Sequence, residues 1–168
     1  IGAGCESLLP GKCVENLPKD VLNGLQVAEK IGAGIYGHIR TNRAHARSVA
    51  IELRQNIELI GLYSQAGSAA RDVIPRLSNS ALGTAITAGF SFSSLKRGKI
   101  AAKSTGGKPQ LESYIGWSTQ KAFERLYTRI ATLKHAAEID KRGSRIRLDV
   151  RLTNLFRYMI VLARHIEA

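Results

Sequence analysis

Residues 148–166 read LDVRLTNLFRYMIVLARHI, and within them Leu148, Leu152, Leu155, Met159, Leu162 and Ile166 recur at alternating steps of four and three. That spacing gathers six large apolar side chains along one helical face, a heptad seam. Its apolar arc is wide, which predicts deep burial or a subunit interface. The segment decides the fold class, because a seam of this kind needs other helices to pack against.

Upstream, Gly143 reads as a helix stop, and the preceding Lys141 and Arg142 suit the negative end of a helix dipole. The helix they close runs from Leu111 to about Asp140, with Ile115, Ala122, Leu126, Ile130, Leu133 and Ala137 on one side and Trp117, Phe123 and Tyr127 adjoining. Residues 145–152 also alternate polar and apolar, so a short strand remains open there.

Residues 96–110, KRGKIAAKSTGGKPQ, combine five basic residues with three glycines and a proline. They read as a mobile basic loop with little to bury. Between 67 and 95 two periods compete. Ile74, Leu77, Leu82, Ile86 and Gly89 fit a helix, while Leu82, Ile86, Phe90 and Phe92 alternate as a strand over 82–92 would. The helix is preferred, because a lone strand cannot satisfy its own backbone.

Residues 43–65 give a further buried helix, with a stripe of Ala46, Val49, Leu53, Ile57 and Ile60 widened by Ile51, Leu59 and Leu62. Before it, Val21, Leu25, Ala28, Gly32, Ile35 and Ile39 mark a glycine-rich helix opened by Pro18, whose missing N–H costs nothing in a first turn. Residues 1–16 read as an irregular arm. The expectation is therefore an all-α chain, one domain over 1–168, built as a bundle of four to five helices with a basic loop near 96–110.

The chain has 168 residues, with 25 Lys+Arg against 13 Asp+Glu and a formal charge of +12. The excess is lopsided: residues 1–95 hold 9 basic and 7 acidic residues, and residues 96–168 hold 16 and 6. Such a surface attracts polyanions, and the C-terminal part is the expected contact region. No run approaches the ~20 apolar residues that span a bilayer. The start at Ile1 fits a processed or partial chain. Cys5 and Cys13 lie close enough in sequence for a local disulfide, which would imply an oxidising compartment; the alternative is two thiols in a reducing one.

Catalytic motifs are wanting. Gly106-Gly107-Lys108 fails as a phosphate-cradling loop, since Ala102 stands where the leading glycine belongs and Pro109 where Ser or Thr belongs. His38, His45, His135 and His165 are scattered, read as surface or boundary residues, and lack metal-ligand spacing. The carboxylates Glu124, Glu138 and Asp140 are read as pairing with neighbouring cations along their own helix. No enzyme, metal site or cofactor is expected.

The charge is the informative constellation. Lys121, Arg125 and Arg129 stand four apart and stack on one helical face, where like charges repel unless acids or a partner compensate. Lys96, Arg97, Lys99, Lys103 and Lys108 in the loop, with Arg145, Arg147 and Arg151 near the last helix, extend the excess. These residues are the expected nucleic-acid contacts: arginine forks onto phosphate oxygens, and counterion release makes the affinity independent of sequence.

The favoured reading is thus a non-enzymatic structural protein that binds RNA or DNA and self-associates, of the viral coat, nucleocapsid or genome-packaging type, in a virion or an intracellular nucleoprotein. The alternative is a secreted helical bundle whose basic face meets a receptor, an acidic glycan or an anionic membrane.

Overall fold

A computed structural model describes residues 44–140 and 147–168, and among them the chain is helical without a sheet. The helices are α1 (Ala44–Gln65), α2 (Ala70–Val73), α3 (Ser80–Thr87), α4 (Ala102–Thr105), α5 (Thr119–Asp140) and α6 (Leu148–Glu167). Short 3-10 turns lie at Ile74–Arg76, Phe92–Ser94 and Pro109–Tyr114. The all-α expectation holds. No helix among the described residues is long and apolar enough to cross a membrane. The glycine-rich helix expected over 18–39 and the arm before it lie outside the described residues.

The seam of α6 is the centre of the core. Leu148, Leu152, Leu155, Met159, Leu162 and Ile166 are all buried, and so are Phe156, Tyr158, Val161 and Ala163 beside them. Residues 155–163 therefore bury nearly their whole circumference, with Arg157 the break in the run. Helix α6 packs along α5 and also meets α1 and α2. At roughly 1.5–3 kcal/mol for each large apolar side chain removed from water, this one helix anchors the assembly. Helix α1 buries Ala46, Val49, Leu53, Ile57 and Ile60 as its stripe predicts, but Leu62 is 58% exposed because it lies outside the arc that faces the core.

Two helices end in the same way, and the second ending resolves the ambiguous region. After α1, Gly67 takes φ +65° and the N–H of Ser68 reaches back to the carbonyl of Tyr63 at 3.1 Å. After α3, Gly89 takes φ +67°, the Phe90 N–H bonds the Ala85 carbonyl at 2.9 Å, and the Gly89 N–H bonds that of Ile86 at 3.0 Å. Both are Schellman caps, which satisfy the last carbonyls and turn the chain back on itself. The strand considered for 82–92 is therefore absent. Phe90 and Phe92 point inward because the cap reverses the chain, and a ring stack of Phe92 on Phe123 (5.2 Å, 5° between planes) holds them.

The start of α3 is fixed from a distance. Glu52 of α1 is 3% exposed, and its carboxylate accepts hydrogen bonds from the N–H groups of Ala81 and Leu82, both at 2.9 Å. The hydroxyls of Ser78 (2.5 Å) and Ser80 (3.2 Å) donate to the same group. One turn along α1, Asn56 exchanges two bonds with the Ser78 backbone, accepting at 2.8 Å and donating at 2.7 Å. An acidic group at a helix N-terminus satisfies orphan donors and complements the dipole. Here α1 supplies it across the core.

Three further expectations are corrected. The segment 96–110 is ordered by burial: Ile100 is 1% exposed and trades backbone bonds of 2.9 Å with Trp117 and Gly116, while Ser104 and Thr105 on α4 are also buried. The long helix begins at Thr119 rather than Leu111, since Gly116 at φ +84° breaks the path and leaves Ile115 exposed. The possible strand over 145–152 gives way to α6 from Leu148, with Asp149 in its first turn and residues 145–146 outside the described residues.

Candidate functional site

Helices α5 and α6 and the 3-10 turn Pro109–Tyr114 together line a groove of about 570 Å³. Helix α5 contributes Arg125, Thr128, Arg129 and Thr132; α6 contributes Arg151, Asn154 and Arg157; the turn contributes Gln110 and Tyr114. The spacing explains why they meet. Residues 125, 128, 129 and 132 fall on one face of α5, and 151, 154 and 157 on one strip of α6, each flanking its own buried stripe. Among the described residues that line the groove there is no Asp, Glu, His or Cys.

Arg129 is held in place. Its Nη1 donates to the Tyr114 hydroxyl at 2.8 Å, and its guanidinium lies 4.5 Å from the ring centre of Tyr158 and 5.2 Å from that of Tyr114. Tyr158 is itself buried, donating its hydroxyl to the Ala122 carbonyl at 2.8 Å, and burial pushes that hydroxyl well above the usual phenol range against the opposing pull of Arg129. Cations over aromatic faces gain about 0.5–2 kcal/mol, more when desolvated. A phenol that stays neutral leaves the positive charge of Arg129 unopposed.

The nominated cations fall into three sets. Arg125, Arg129 and Arg151 converge on the groove, joined by Arg157, which the sequence reading missed. One turn up α5 from Arg125, exposed Lys121 lies over the Trp117 ring at 4.4 Å. Near that end of α5, Lys99 bridges Ser118 through the backbone, and the carbonyl of Lys96 accepts the Thr119 hydroxyl at 2.7 Å. Lys121, Arg125 and Arg129 thus link this cluster to the groove along a single row. Arg97, Lys103 and Arg147 are exposed but stand outside the groove lining, and Lys108 is half-buried. Arg145, Cys5 and Cys13 lie outside the described residues.

Two ion pairs among the described residues are Arg54–Glu58 and Arg71–Asp140. In the second, Asp140 at the end of α5 reaches Arg71 of α2, a partner from outside its own helix. Among the histidines, His165 is 3% exposed rather than at the surface. Its Nε2 lies 2.8 Å from the Thr119 hydroxyl, whose proton is directed at the Lys96 carbonyl, so Nε2–H is the donor. Burial, with Lys96 adding to it, holds the imidazole below its ordinary pKa.

The signal for Arg157 was present as the polar strip Arg151, Asn154, Arg157 beside the seam, but only the pairing of α6 with α5 turns it into a wall of a site. No protein-family model, curated protein or solved structure matches the chain.

Proposed function

We propose that this protein is a non-enzymatic, nucleic-acid-binding structural protein that grips the phosphate backbone through the α5–α6 groove and the cationic row leading to it. One observation carries the reading: four arginines from two helices face a common concavity whose described lining holds no carboxylate. Guanidinium groups fork onto phosphate oxygens, and each neutralised phosphate releases condensed counterions, so binding is strong at low salt and indifferent to sequence. The groove offers amides, hydroxyls and cations to phosphate oxygens.

The aromatic residues bear on the type of contact. Tyr114, Trp117 and Tyr158 pack against one another, with Tyr114 and Tyr158 centred 4.6 Å apart and Tyr114 edge-on to Trp117 at 5.4 Å. Tyr114 and Tyr158 are buried and Trp117 is half-buried. Rings spent on the core form no open platform for stacked bases. Sequence readout is therefore not expected, and phosphate contact is.

Fluorescence anisotropy with random-sequence single- and double-stranded oligonucleotides tests this. Binding that is indifferent to sequence and weakens steeply with added salt is the expected result; failure to bind at low salt would end the reading.

A further inference from the structure

We infer that the α5–α6 groove is a discrete site for one compact, multiply charged oxyanion of the oligophosphate class, whether it arrives as a free oligophosphate or as a phosphate-dense segment of a nucleic-acid strand. The inference uses the same groove as the proposed function but does not depend on the chain binding nucleic acid.

Shape comes first. A concavity of about 570 Å³ falls within the ~300–1,000 Å³ of small-ligand sites. A flat basic surface would spread its charges over a long polyanion, whereas this one folds them inward from both walls, Arg125 and Arg129 on one and Arg151 and Arg157 on the other.

Charge sets the ligand's valence. The described lining has no acid, and Arg125, Arg129 and Arg151 bring three positive charges to it, so a monovalent carboxylate would leave most of that charge unmatched. An oligophosphate carries several charges within a few bonds and relieves the mutual repulsion of the arginines as it enters.

Preorganisation completes the case. Arg129 is fixed between Tyr114 and Tyr158 by a hydrogen bond and two ring contacts. Tyr114 accepts that bond at its oxygen and keeps its own proton to donate. Thr128 and Asn154 stand between the arginines on the two walls, adding neutral donors where phosphate oxygens exceed the forks. A site whose central cation is already ordered loses less entropy on binding.

The test is isothermal titration of the full chain with sodium tripolyphosphate at physiological ionic strength, where the Debye length is about 8 Å. Wild type is expected to show one saturable site. The double variant Arg125→Ser, Arg151→Ser removes two exposed groove cations and should weaken binding by about tenfold per arginine. Should that pair impair folding, either single variant replaces it. The matched control Arg97→Ser, Lys103→Ser removes the same charge outside the groove and its cationic row and should change affinity by no more than about twofold, as expected for distant screened charges.

Absence of tripolyphosphate binding to the wild type would overturn the inference, and so would equal weakening by both double variants, which is the signature of diffuse attraction. A competition arm separates the sources: tripolyphosphate that displaces a labelled oligonucleotide assigns the groove to strand phosphates, and tripolyphosphate that binds without displacing it assigns the groove to a free oligophosphate. Tripolyphosphate binding without any oligonucleotide binding would sink the proposed function and leave the groove assignment standing.

Discussion

Replacing Glu52 should unfasten α3 from α1, and the cost can be worked from its bonds. Its carboxylate receives the N–H groups of Ala81 and Leu82 and the hydroxyls of Ser78 and Ser80. In Glu52→Ala the hydroxyls can turn to water, since Ser80 is exposed and Ser78 half-buried, but Leu82 is buried. Its N–H then has no acceptor, and that of Ala81 fares little better. At about 1–3 kcal/mol for each of the two stranded donors, plus about 0.3–1 kcal/mol of lost dipole complement, the loss comes to roughly 2–7 kcal/mol. Glu52→Gln keeps an acceptor oxygen and the shape while losing the charge, so about 1–2 kcal/mol is expected. Urea denaturation followed by far-UV circular dichroism measures both, and an unchanged slope would place the effect in stability alone. An alanine variant within about 1 kcal/mol of wild type, or one as stable as the glutamine variant, would refute the account of how α3 is held.

Two other sites give independent checks. His165 is held below its ordinary pKa by burial and by Lys96, so the unfolded chain takes up a proton there before the folded chain does. Stability should therefore be unaffected well above about pH 6.5, the unperturbed value, and should decline as pH falls from there toward the folded pKa. In His165→Gln that part of the decline should vanish, which urea midpoints of the two proteins at pH 8 and pH 5 would show. Gly106 has φ +61° and a Cβ there would collide with Arg164 Nη1, whereas Gly107 at φ +70° has open space. Both alanine variants should lose about 1–2 kcal/mol to the left-handed backbone, and thermal melts should show Gly106→Ala losing more because Arg164 must move.

What the sequence made legible were the elements whose own periodicity is complete. The α6 seam, the α1 stripe and the body of α5 follow from i, i+3, i+4 spacing, and the buried residues match it. Elements fixed by remote partners were not legible. Glu52 reads locally as one more charge on an amphipathic helix, yet its partners are 26 to 30 residues away. Order in 96–110 rests on one apolar residue, Ile100, joined to Trp117 and Gly116. That signal is too small for any periodicity. The same limit governed the groove. Lys121, Arg125 and Arg129 were visible as a row on one helix, but their meeting with Arg151 and Arg157 depends on which helices pack together.

The salt dependence of nucleic-acid affinity in wild type and in the Arg125→Ser, Arg151→Ser variant bears most directly on the claim that the groove arginines neutralise phosphates. The logarithm of the association constant should fall linearly with the logarithm of salt concentration. The variant's slope should be shallower by about 0.7 per lost contact on single strands, or about 0.9 on duplex. A wild-type affinity that ignores salt, or a variant that keeps both the affinity and the slope of wild type, would contradict it.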